Sequence, residues 1–371
     1  MSRMRVLHTL CRIHSGGVEQ RRILLAQGLG SDSYEHAIIC QEADGPIPGI
    51  LRDAGWTIHE IGLAPGILNR GWHARAHKIA RVFQPDIVHG AVYEGEALAC
   101  GIGLRMPRVK VIMEETSDPV GRRRTGNALM RAMCVRADAC VGVSPVVTGY
   151  LRETLRIPER KIRLINNAVP EIPAPTAAHL ASLRVLLGVG ESDVIIGSVG
   201  RVLDSHKRFS DIIRALPMIR STQPHARLLI IGDGPDRAML EQLARDLGQS
   251  EAVIFAGYQS APRDFYHLMR VFVLASASEA FGLVLVEAML AGVPVVATEV
   301  GGIPFVLDAG KAGILVPPMQ PDALAEAVLG LLADLPASNA LRDAGLARAR
   351  IAFAAERYIN EVADLYNDLL R

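Results

Sequence analysis

Arginine and lysine residues follow a short apolar run in the second half of the chain. Gly200-Arg201 comes directly after the run 194–199, and Lys207-Arg208 opens the next helical stretch six residues later. Because ligands of parallel α/β sheets bind at the carboxyl ends of the strands, these cations are expected to face a crevice. A bidentate guanidinium and a compact ammonium group together suit a diphosphate. The alternative, solvated cations at a helix N-terminus, is disfavoured because they oppose the helix dipole.

Two glutamates lie on either side of a predicted helix start at Gly282. Glu279 precedes it and Glu287 lies in the second turn, within an apolar stretch. The free amides of Gly282, Leu283 and Val284 would then be available to an anion. A carboxylate in an apolar stretch is costly to bury without partners, and a sugar or ribose diol offers it two donors. The alternative is a buried glutamate that caps the backbone or pairs with arginine or lysine.

Two glycine-containing loops follow other predicted strands. Gly16-Gly17 stands directly before a helix that is predicted to begin near Val18, and Gly232-Asp-Gly234-Pro follows a strand in the second half. Small residues let the backbone approach a phosphate or a planar ring closely. A plain strand-to-helix turn explains either loop equally well.

The elements that position these residues alternate between short β-branched runs and longer amphipathic stretches, as in parallel α/β sheets. A proline-rich segment at 169–175 interrupts the alternation and predicts a linker. We therefore predict two doubly wound domains, 1–168 and 193–350, joined by a linker region at 169–192, with a helix at 351–371 packing back on the first. The predicted strands are 5–10, 36–40, 57–61, 86–89, 109–113, 139–143 and 162–165, then 194–199, 228–231, 253–256, 271–274, 295–298 and 313–316.

The composition of the 371 residues excludes a disulfide scaffold and a disordered chain, because 50% are hydrophobic and 21% charged. Net charge is +1 overall, but the first 168 residues carry +7 and the remainder −6. The five cysteines lack the spacing of a zinc site or a disulfide framework, which favours reduced thiols. No signal-peptide core and no long apolar run are found, so a cytoplasmic protein is expected.

The ordered motifs of residues 194–330 resemble the nucleotide-sugar-binding half of glycosyltransferase family 4, retaining enzymes of the GT-B fold. The first half resembles the family more loosely, through Gly16-Gly17-Val-Glu-Gln, Pro85-Asp-Ile-Val-His89 and Ile165-Asn-Asn-Ala-Val169. The motifs of the second half are Gly200-Arg201…Lys207, Gly232-Asp-Gly-Pro235, Phe255-Ala-Gly257, Glu279-Ala-Phe-Gly-Leu-Val-Leu-Val-Glu287, Ala291-Gly-Val-Pro294, Gly301-Gly-Ile-Pro304 and Gly313-Ile-Leu-Val-Pro-Pro318.

The resemblance implies an α/β protein with two Rossmann-like domains facing across a cleft, and a role for each motif. The donor diphosphate would be held by Arg201, Lys207, Gly16, Gly17, Gly282, Leu283 and Val284. The nucleoside would contact Glu287, Gly232, Gly234 and Tyr258, and the transferred sugar would contact Glu279, Ala280, Phe281 and Gly282.

Three departures from the family pattern bear on the chemistry. Arg208 stands where the family often has glycine, and Phe305 where it usually has glutamate. Glu115 stands where many relatives carry histidine. Glu115 is either a catalytic carboxylate near the reacting sugar or an architectural residue paired with arginine. In the second case His89, at the end of a predicted strand, becomes the catalytic candidate together with Glu279.

The basic stretch Arg122-Arg123-Arg124 begins an amphipathic helix and could contact an acceptor or an anionic membrane. The alternative is an ordinary helix with a solvated basic end. The expected function is retaining hexosyl transfer from a nucleotide sugar, UDP- or GDP-linked, to a glycan or lipid-linked acceptor in polysaccharide or lipopolysaccharide assembly. It would occur at the inner face of the membrane, with no metal, further cofactor or nucleic acid. Two rivals are a GT-B sugar-nucleotide epimerase or hydrolase using Glu114, Glu115 and Asp118, and a non-catalytic nucleotide-sugar-binding subunit.

Overall fold

A computed structural model describes residues 3–14, 16–63, 66–117 and 122–371. Internal contacts divide the chain into two compact units. Unit 1 comprises residues 1–170 and 355–371, and unit 2 comprises residues 171–354. The unit boundaries lie at 170/171 and 354/355, whereas the predicted domain limits are 168 and 350, and residues 171–192 of the predicted linker region belong to unit 2.

Unit 1 is built on a seven-stranded parallel sheet in the order β5-β3-β1-β6-β7-β8-β9, and β2 pairs separately with β4. The strands are β1 (Met4–Thr9), β2 (Arg12–Ile13), β3 (Tyr34–Cys40), β4 (Glu42–Ala43), β5 (Thr57–Glu60), β6 (Ile87–Ala91), β7 (Lys110–Glu115), β8 (Ala139–Gly142) and β9 (Ile162–Leu164).

The helices of the first segment of unit 1 follow the strands in alternation. They are α1 (Gly17–Gly28), α2 (Ile47–Asp53), α3 (Arg70–Phe83), α4 (Val92–Arg105), α5 (Arg124–Arg136) and α6 (Pro145–Gly149), which continues as a π-helical turn at Tyr150–Thr154. Buried aliphatic residues of the central strands, such as Val6 and Ile38, form the core together with these helices.

Unit 2 contains a six-stranded parallel sheet in the order β12-β11-β10-β13-β14-β15. Its strands are β10 (Val194–Val199), β11 (Ala226–Ile231), β12 (Val253–Gly257), β13 (Val271–Leu274), β14 (Val295–Thr298) and β15 (Ile314–Val316). The strand predictions from β-branched runs are therefore confirmed to within a few residues, as is the prediction of two doubly wound α/β sheets.

The helices of unit 2 are α7 (Ala177–Leu187), α8 (Asp204–Lys207), α9 (Phe209–Thr222), α10 (Arg237–Asp246), α11 (Arg263–Tyr266), α12 (Leu283–Leu290), α13 (Ile303–Val306), α14 (Pro321–Ala333) and α15 (Leu335–Ala352). The chain then returns to unit 1 in α16 (Ala355–Leu370). Across the described residues no single helix is long and apolar enough to cross a membrane, and only the bent pair 321–333 and 335–370 reaches that length and composition together.

Candidate active site

An ion pair joins two of the predicted donor-binding residues of unit 2. The Nζ atom of Lys207, at the end of α8, donates to Oε2 of Glu279 at 2.6 Å. Both side chains are only partly accessible, 22% and 16% exposed. The loops that follow β10 and β13 meet here, since the amide of Ala277 also donates to the carbonyl of His206. The structure therefore brings together the residue predicted to bind the diphosphate, Lys207, and the residue predicted to bind the sugar, Glu279.

Helix α12 begins beside this ion pair. Gly282 precedes the helix with φ of +94°, a left-handed conformation that favours glycine, so the predicted helix start is found. The amides of Leu283 and Val284 lie in the first helical turn, where no intrahelical acceptor is available. This helix end is therefore suited to an anionic group.

The side chains of Ala280 and Phe281 are buried in the protein, 8% and 2% exposed. Phe281 packs edge-on against Phe353, with ring centroids 5.3 Å apart. Phe305, which replaces the usual glutamate, packs against the same ring at 6.2 Å. Only the backbone of residues 280 and 281 remains for the predicted sugar contact.

Glu287 lies in the second turn of α12 and is half-buried. It accepts a hydrogen bond of 2.9 Å from the hydroxyl of the fully buried Tyr266. Burial raises the pKa of the Glu287 carboxyl, while the Tyr266 hydroxyl and the nearby Arg263 oppose that shift. The carboxylate thus has a protein donor on one side, which the sequence did not reveal, and spare acceptor positions for a diol.

The glycines after β11 serve the packing of the backbone. A Cβ atom on Gly232 would lie 1.9 Å from the carbonyl oxygen of Gly200, and one on Gly234 would lie 2.3 Å from that of Val202. These glycines are therefore required by the packing against the loop after β10, and their contact with a nucleoside stays a prediction. Tyr258, 55% exposed, is accessible to a base.

Arg201 and Arg208 occupy different surroundings. Arg201 is exposed, and its side chain has no hydrogen bond or ion pair to the residues that the structure describes. Arg208 adopts φ of +52°, the left-handed conformation that explains the usual glycine. It bonds Asp211 in a bidentate manner at 2.7 and 2.9 Å, so Arg201 is the better-placed second cation.

In unit 1, the predicted glycine loop precedes α1. Gly16 is exposed and Gly17 is the first helical residue. A Cβ atom on Gly16 would lie 2.5 Å from Oε2 of Glu19, in the first turn. Burial raises the pKa of the Glu19 carboxyl. The helix N-terminus therefore already has a carboxylate beside it.

Glu115 ends β7 and pairs with arginine. Arg122 donates to its Oε2 at 2.7 Å and also to the Tyr150 hydroxyl at 3.1 Å, while the amide of Ser117 donates to Oε1 at 3.0 Å. Glu115 is 3% exposed, so the structure places it in the architectural alternative. Arg122 likewise belongs to this pair and not to an exposed basic face.

Arg123 and Arg124 are exposed at the start of α5. Of the three arginines predicted to form an acceptor or membrane face, these two are exposed, whereas Arg122 pairs with Glu115. Asp118, considered with Glu114 for the rival activity, lies outside the described residues, and Glu114 itself is 1% exposed.

Sequence reasoning missed a buried network around Glu114. Arg21 Nη1 donates to its Oε1 at 2.5 Å and Arg22 Nη2 to its Oε2 at 2.9 Å, and Arg21 also donates to Asn167 Oδ1 at 2.7 Å. His89 Nε2 lies 3.3 Å from the same carboxylate. We call these five residues the Glu114 network. The two arginines hold the pKa of the Glu114 carboxyl well below its usual range.

His89 therefore does not fit the predicted catalytic role. It is 2% exposed inside unit 1, and its Nδ1 atom lies within hydrogen-bond distance, 2.8 Å, of the Tyr366 hydroxyl. Burial and the charge of Arg22 lower its pKa to about 4. His8 of β1 and His36 of β3 lie on neighbouring strands, and Nε2 of His8 is 3.1 Å from Nδ1 of His36. Burial and Arg22 lower the pKa of His36 to about 3. In the described ranges, no group of three His, Cys, Asp or Glu side chains is arranged to hold a metal ion.

Two parallel Rossmann-like sheets and a donor-type site at the carboxyl edge of the second define a GT-B glycosyltransferase architecture. Two family models match the chain, "Glycosyltransferase Family 4" over residues 15–171 and "Glycosyl transferases group 1" over residues 183–348. The chain belongs to glycosyltransferase family 4.

Individual relatives agree with this assignment. The chain is 28% identical to the N-acetyl-alpha-D-glucosaminyl L-malate synthase of Bacillus anthracis, over 80% of this chain and 79% of that protein. It is 31% identical to the lipopolysaccharide core biosynthesis glycosyltransferase LpsE of Rhizobium meliloti, over 57% of this chain and 58% of the relative. The crystal structure of Anabaena HepE in complex with UDP and glucose is similar in fold, with a TM-score of 0.87, 20% identity, and coverage of 98% of this chain and 99% of that one.

Proposed function

We propose that this glycosyltransferase retains configuration and moves a hexosyl group from a UDP- or GDP-sugar to a hydroxyl of a glycan or glycolipid during polysaccharide or lipopolysaccharide assembly. The observation that carries the proposal is the Lys207–Glu279 pair beside the start of α12. The relative LpsE is named for lipopolysaccharide core biosynthesis, and HepE was solved with UDP and glucose. Both names support the choice of donor and pathway.

The charges of the site suit a diphosphate next to a sugar. An ammonium group has three N–H donors, so Lys207 can keep its bond to Glu279 and still donate to phosphate oxygens. Arg201 and the first-turn amides of α12 add the remaining positive charge. Glu279, held by Lys207, then accepts hydrogen bonds from sugar hydroxyls.

In the proposed reaction, the bond between the anomeric carbon and the diphosphate oxygen breaks while the acceptor oxygen bonds the same face of the sugar. The acceptor proton passes to the leaving phosphate oxygen. Lys207 and Arg201 stabilise the negative charge that grows on the diphosphate, and the Glu279 carboxylate faces the positive charge that grows on the sugar ring.

We also propose that Arg123 and Arg124 contact an anionic acceptor or the inner membrane surface. Their exposure and their position at a helix N-terminus, where they oppose the helix dipole, support an anionic partner. Binding to anionic vesicles should fall with salt and be lost on replacing both arginines with serine. Equal binding to neutral vesicles would contradict this.

The experiment that tests the function is a thermal-shift screen over UDP-, GDP- and ADP-sugars followed by turnover assays. A donor present at one hundred times its Kd stabilises the protein by about 2.7 kcal/mol. Transfer of sugar to an acceptor with the donor's anomeric configuration supports the proposal. Consumption of donor without any acceptor would favour the epimerase or hydrolase, and binding without turnover a non-catalytic subunit.

A further inference from the structure

Arg348 of α15 contacts two phenylalanine rings of unit 2. Its guanidinium carbon lies 5.5 Å from the ring centroid of Phe305 and 5.5 Å from that of Phe353. A guanidinium over an aromatic ring at this distance is attracted by the negative face of the ring. The Arg348 side chain is 20% exposed, so both contacts are partly shielded from water. Arg348 therefore joins α13, which carries Phe305, to Phe353, which follows α15.

The same guanidinium caps the short helix α13. Nε of Arg348 donates to the carbonyl oxygen of Val306 at 2.7 Å, and Nη2 donates to the carbonyl oxygen of Phe305. Nη1 lies 3.8 Å from Oδ1 of Asp308, two residues after the helix. The last carbonyls of a helix have no intrahelical donor, so a cation at this end satisfies them. Charge-assisted hydrogen bonds thus hold α13 against α15.

Helix α13 in turn contacts the loop that carries Glu279. The amide of Gly302, directly before α13, donates to the carbonyl oxygen of Glu279 at 2.8 Å. A Cβ atom on Gly302 would lie 2.3 Å from the carbonyl oxygen of Ala280, so the two backbones are in direct contact. A shift of α13 therefore displaces the backbone of residues 279 and 280.

Phe353 contacts the next residue of the same loop. Its ring packs edge-on against the ring of Phe281, with centroids 5.3 Å apart, and both residues are buried. Phe281 directly precedes Gly282, where α12 begins. Two series of contacts thus lead from Arg348 to residues 279–282, one through the backbone of α13 and one through the ring of Phe353.

We propose that Arg348 is a positioning residue for the transferred sugar. Through α13 and Phe353 it sets the position of the Glu279 carboxylate and of the first amides of α12. Phe305, which stands where the family usually has glutamate, takes part by offering its ring to the guanidinium. The inference rests on the proposed function, in which residues 279–282 contact the sugar of the donor.

This role concerns the sugar and not the nucleotide. Within the described residues, the hydrogen bonds and ring contacts of Arg348 do not reach Glu287 or Tyr258, which are predicted to bind the nucleoside. Glu287 is bonded instead by Tyr266. Loss of the Arg348 side chain should therefore weaken binding of a nucleotide sugar more than binding of the free nucleoside diphosphate.

Arg342 supplies a matched control on the same helix. It bonds Asn339 at 3.1 Å and Asp343 at 2.9 Å, both residues of α15 itself, and its side chain is 40% exposed. Arg342→Met therefore removes the same chemical group from the same helix, while the contacts of α13 and Phe353 stay in place.

The experiment is isothermal titration calorimetry of the full chain with UDP, GDP and their hexose derivatives, using the pair that binds the wild type. The measured quantity is the Kd of the nucleotide sugar divided by the Kd of the matching nucleoside diphosphate. In Arg348→Met this ratio should rise about tenfold, the effect of losing one hydrogen bond to a charged group, while the Kd of the diphosphate changes less than about twofold. Arg342→Met should keep the wild-type ratio.

The other outcomes distinguish the positioning role from the proposed function. If no nucleotide sugar binds to the wild type, the proposed function fails and the positioning role with it. If the pair binds but Arg348→Met leaves the ratio unchanged, or Arg342→Met raises it equally, the positioning role is refuted while the proposed function stands. Thermal unfolding without ligand checks that Arg348→Met folds. Should it not fold, Phe305→Leu, which removes one of the two rings, is measured in its place, and an unchanged ratio there refutes the role.

Discussion

Replacing Glu114 with glutamine should destabilise unit 1 severely. The substitution keeps the shape of the side chain and removes its charge. Two arginines that are 2% and 0% exposed then share no carboxylate, since the only other acceptor that the described residues offer Arg21 is the amide of Asn167. The variant therefore measures how much one buried negative charge between two buried positive charges contributes to the free energy of unfolding of unit 1.

The magnitude follows from the burial of all three groups. Removing one partner of a buried ion pair costs about 3–5 kcal/mol, because the remaining charge is left uncompensated. Glutamine can still accept one hydrogen bond, which places the expected loss near the lower figure. For a domain of this size, about 2–4 °C are lost per kcal/mol, so the transition of unit 1 should move down by about 6–12 °C.

Differential scanning calorimetry, with urea unfolding followed by circular dichroism, measures the shift. The matched control is Glu159→Gln, since Glu159 also bonds an arginine, Arg152, at 2.8 and 2.9 Å but is 67% exposed. No measurable shift is expected there, because exposed ion pairs are screened by water. A change of less than 1 kcal/mol in Glu114→Gln would refute the assignment of Glu114 as the necessary counter-charge.

Three further predictions concern the donor site and the buried histidines. Lys207→Met should weaken nucleoside diphosphate binding in calorimetric titration by about 1.5–3 kcal/mol, because it removes a charged donor; unchanged affinity would contradict the diphosphate role. The pKa values of His36 and His89, about 3 and about 4, lie below their unfolded value near 6.5, so the unfolded state binds more protons below that pH. In urea unfolding, the free energy of unfolding of unit 1 should therefore fall by about 4 kcal/mol between pH 7 and pH 5. A free energy of unfolding that does not change over this range would contradict the burial of these two histidines in the neutral form. Gly232→Ala places a Cβ atom against a backbone carbonyl at positive φ and should cost about 2 kcal/mol or more in the same assay, whereas a neutral effect would mean that the loops can separate.

The strands and the donor motifs could be predicted because their signals are local. A β-branched run bounded by turn residues specifies a buried parallel strand without knowledge of its neighbours. Glu279, Gly282 and Glu287 are likewise related by helical spacing, so a sequence pattern can place them at one helix end. The Lys207–Glu279 bond joins loops 72 residues apart and was not predicted, because the rule that strand ends converge places the two residues only at the same crevice.

The Glu114 network could not be predicted because its members are distant in sequence. Arg21 and Glu114 are 93 positions apart and Arg21 and Asn167 are 146 apart. Adjacent arginines on a helix ordinarily indicate a solvated face, and only the folded structure brings Arg21 and Arg22 to Glu114 at the end of β7. The same limitation explains His89, whose position at a strand end suggested a site, although helix α16 covers it.

The return of α16 to unit 1 has a consequence for how the protein is made. Tyr358, Val362 and Tyr366 of this helix belong to the same core cluster as Val6 and Ile38 of the central strands. The first segment of unit 1 therefore lacks part of its interior until about 200 further residues have been synthesised, a delay of about 10–40 s at about 5–20 residues per second. Unit 2 is continuous in sequence and can finish folding during that interval. The early domain must meanwhile keep an incomplete apolar face from aggregating, and a chain that stops at residue 354 would carry that face permanently.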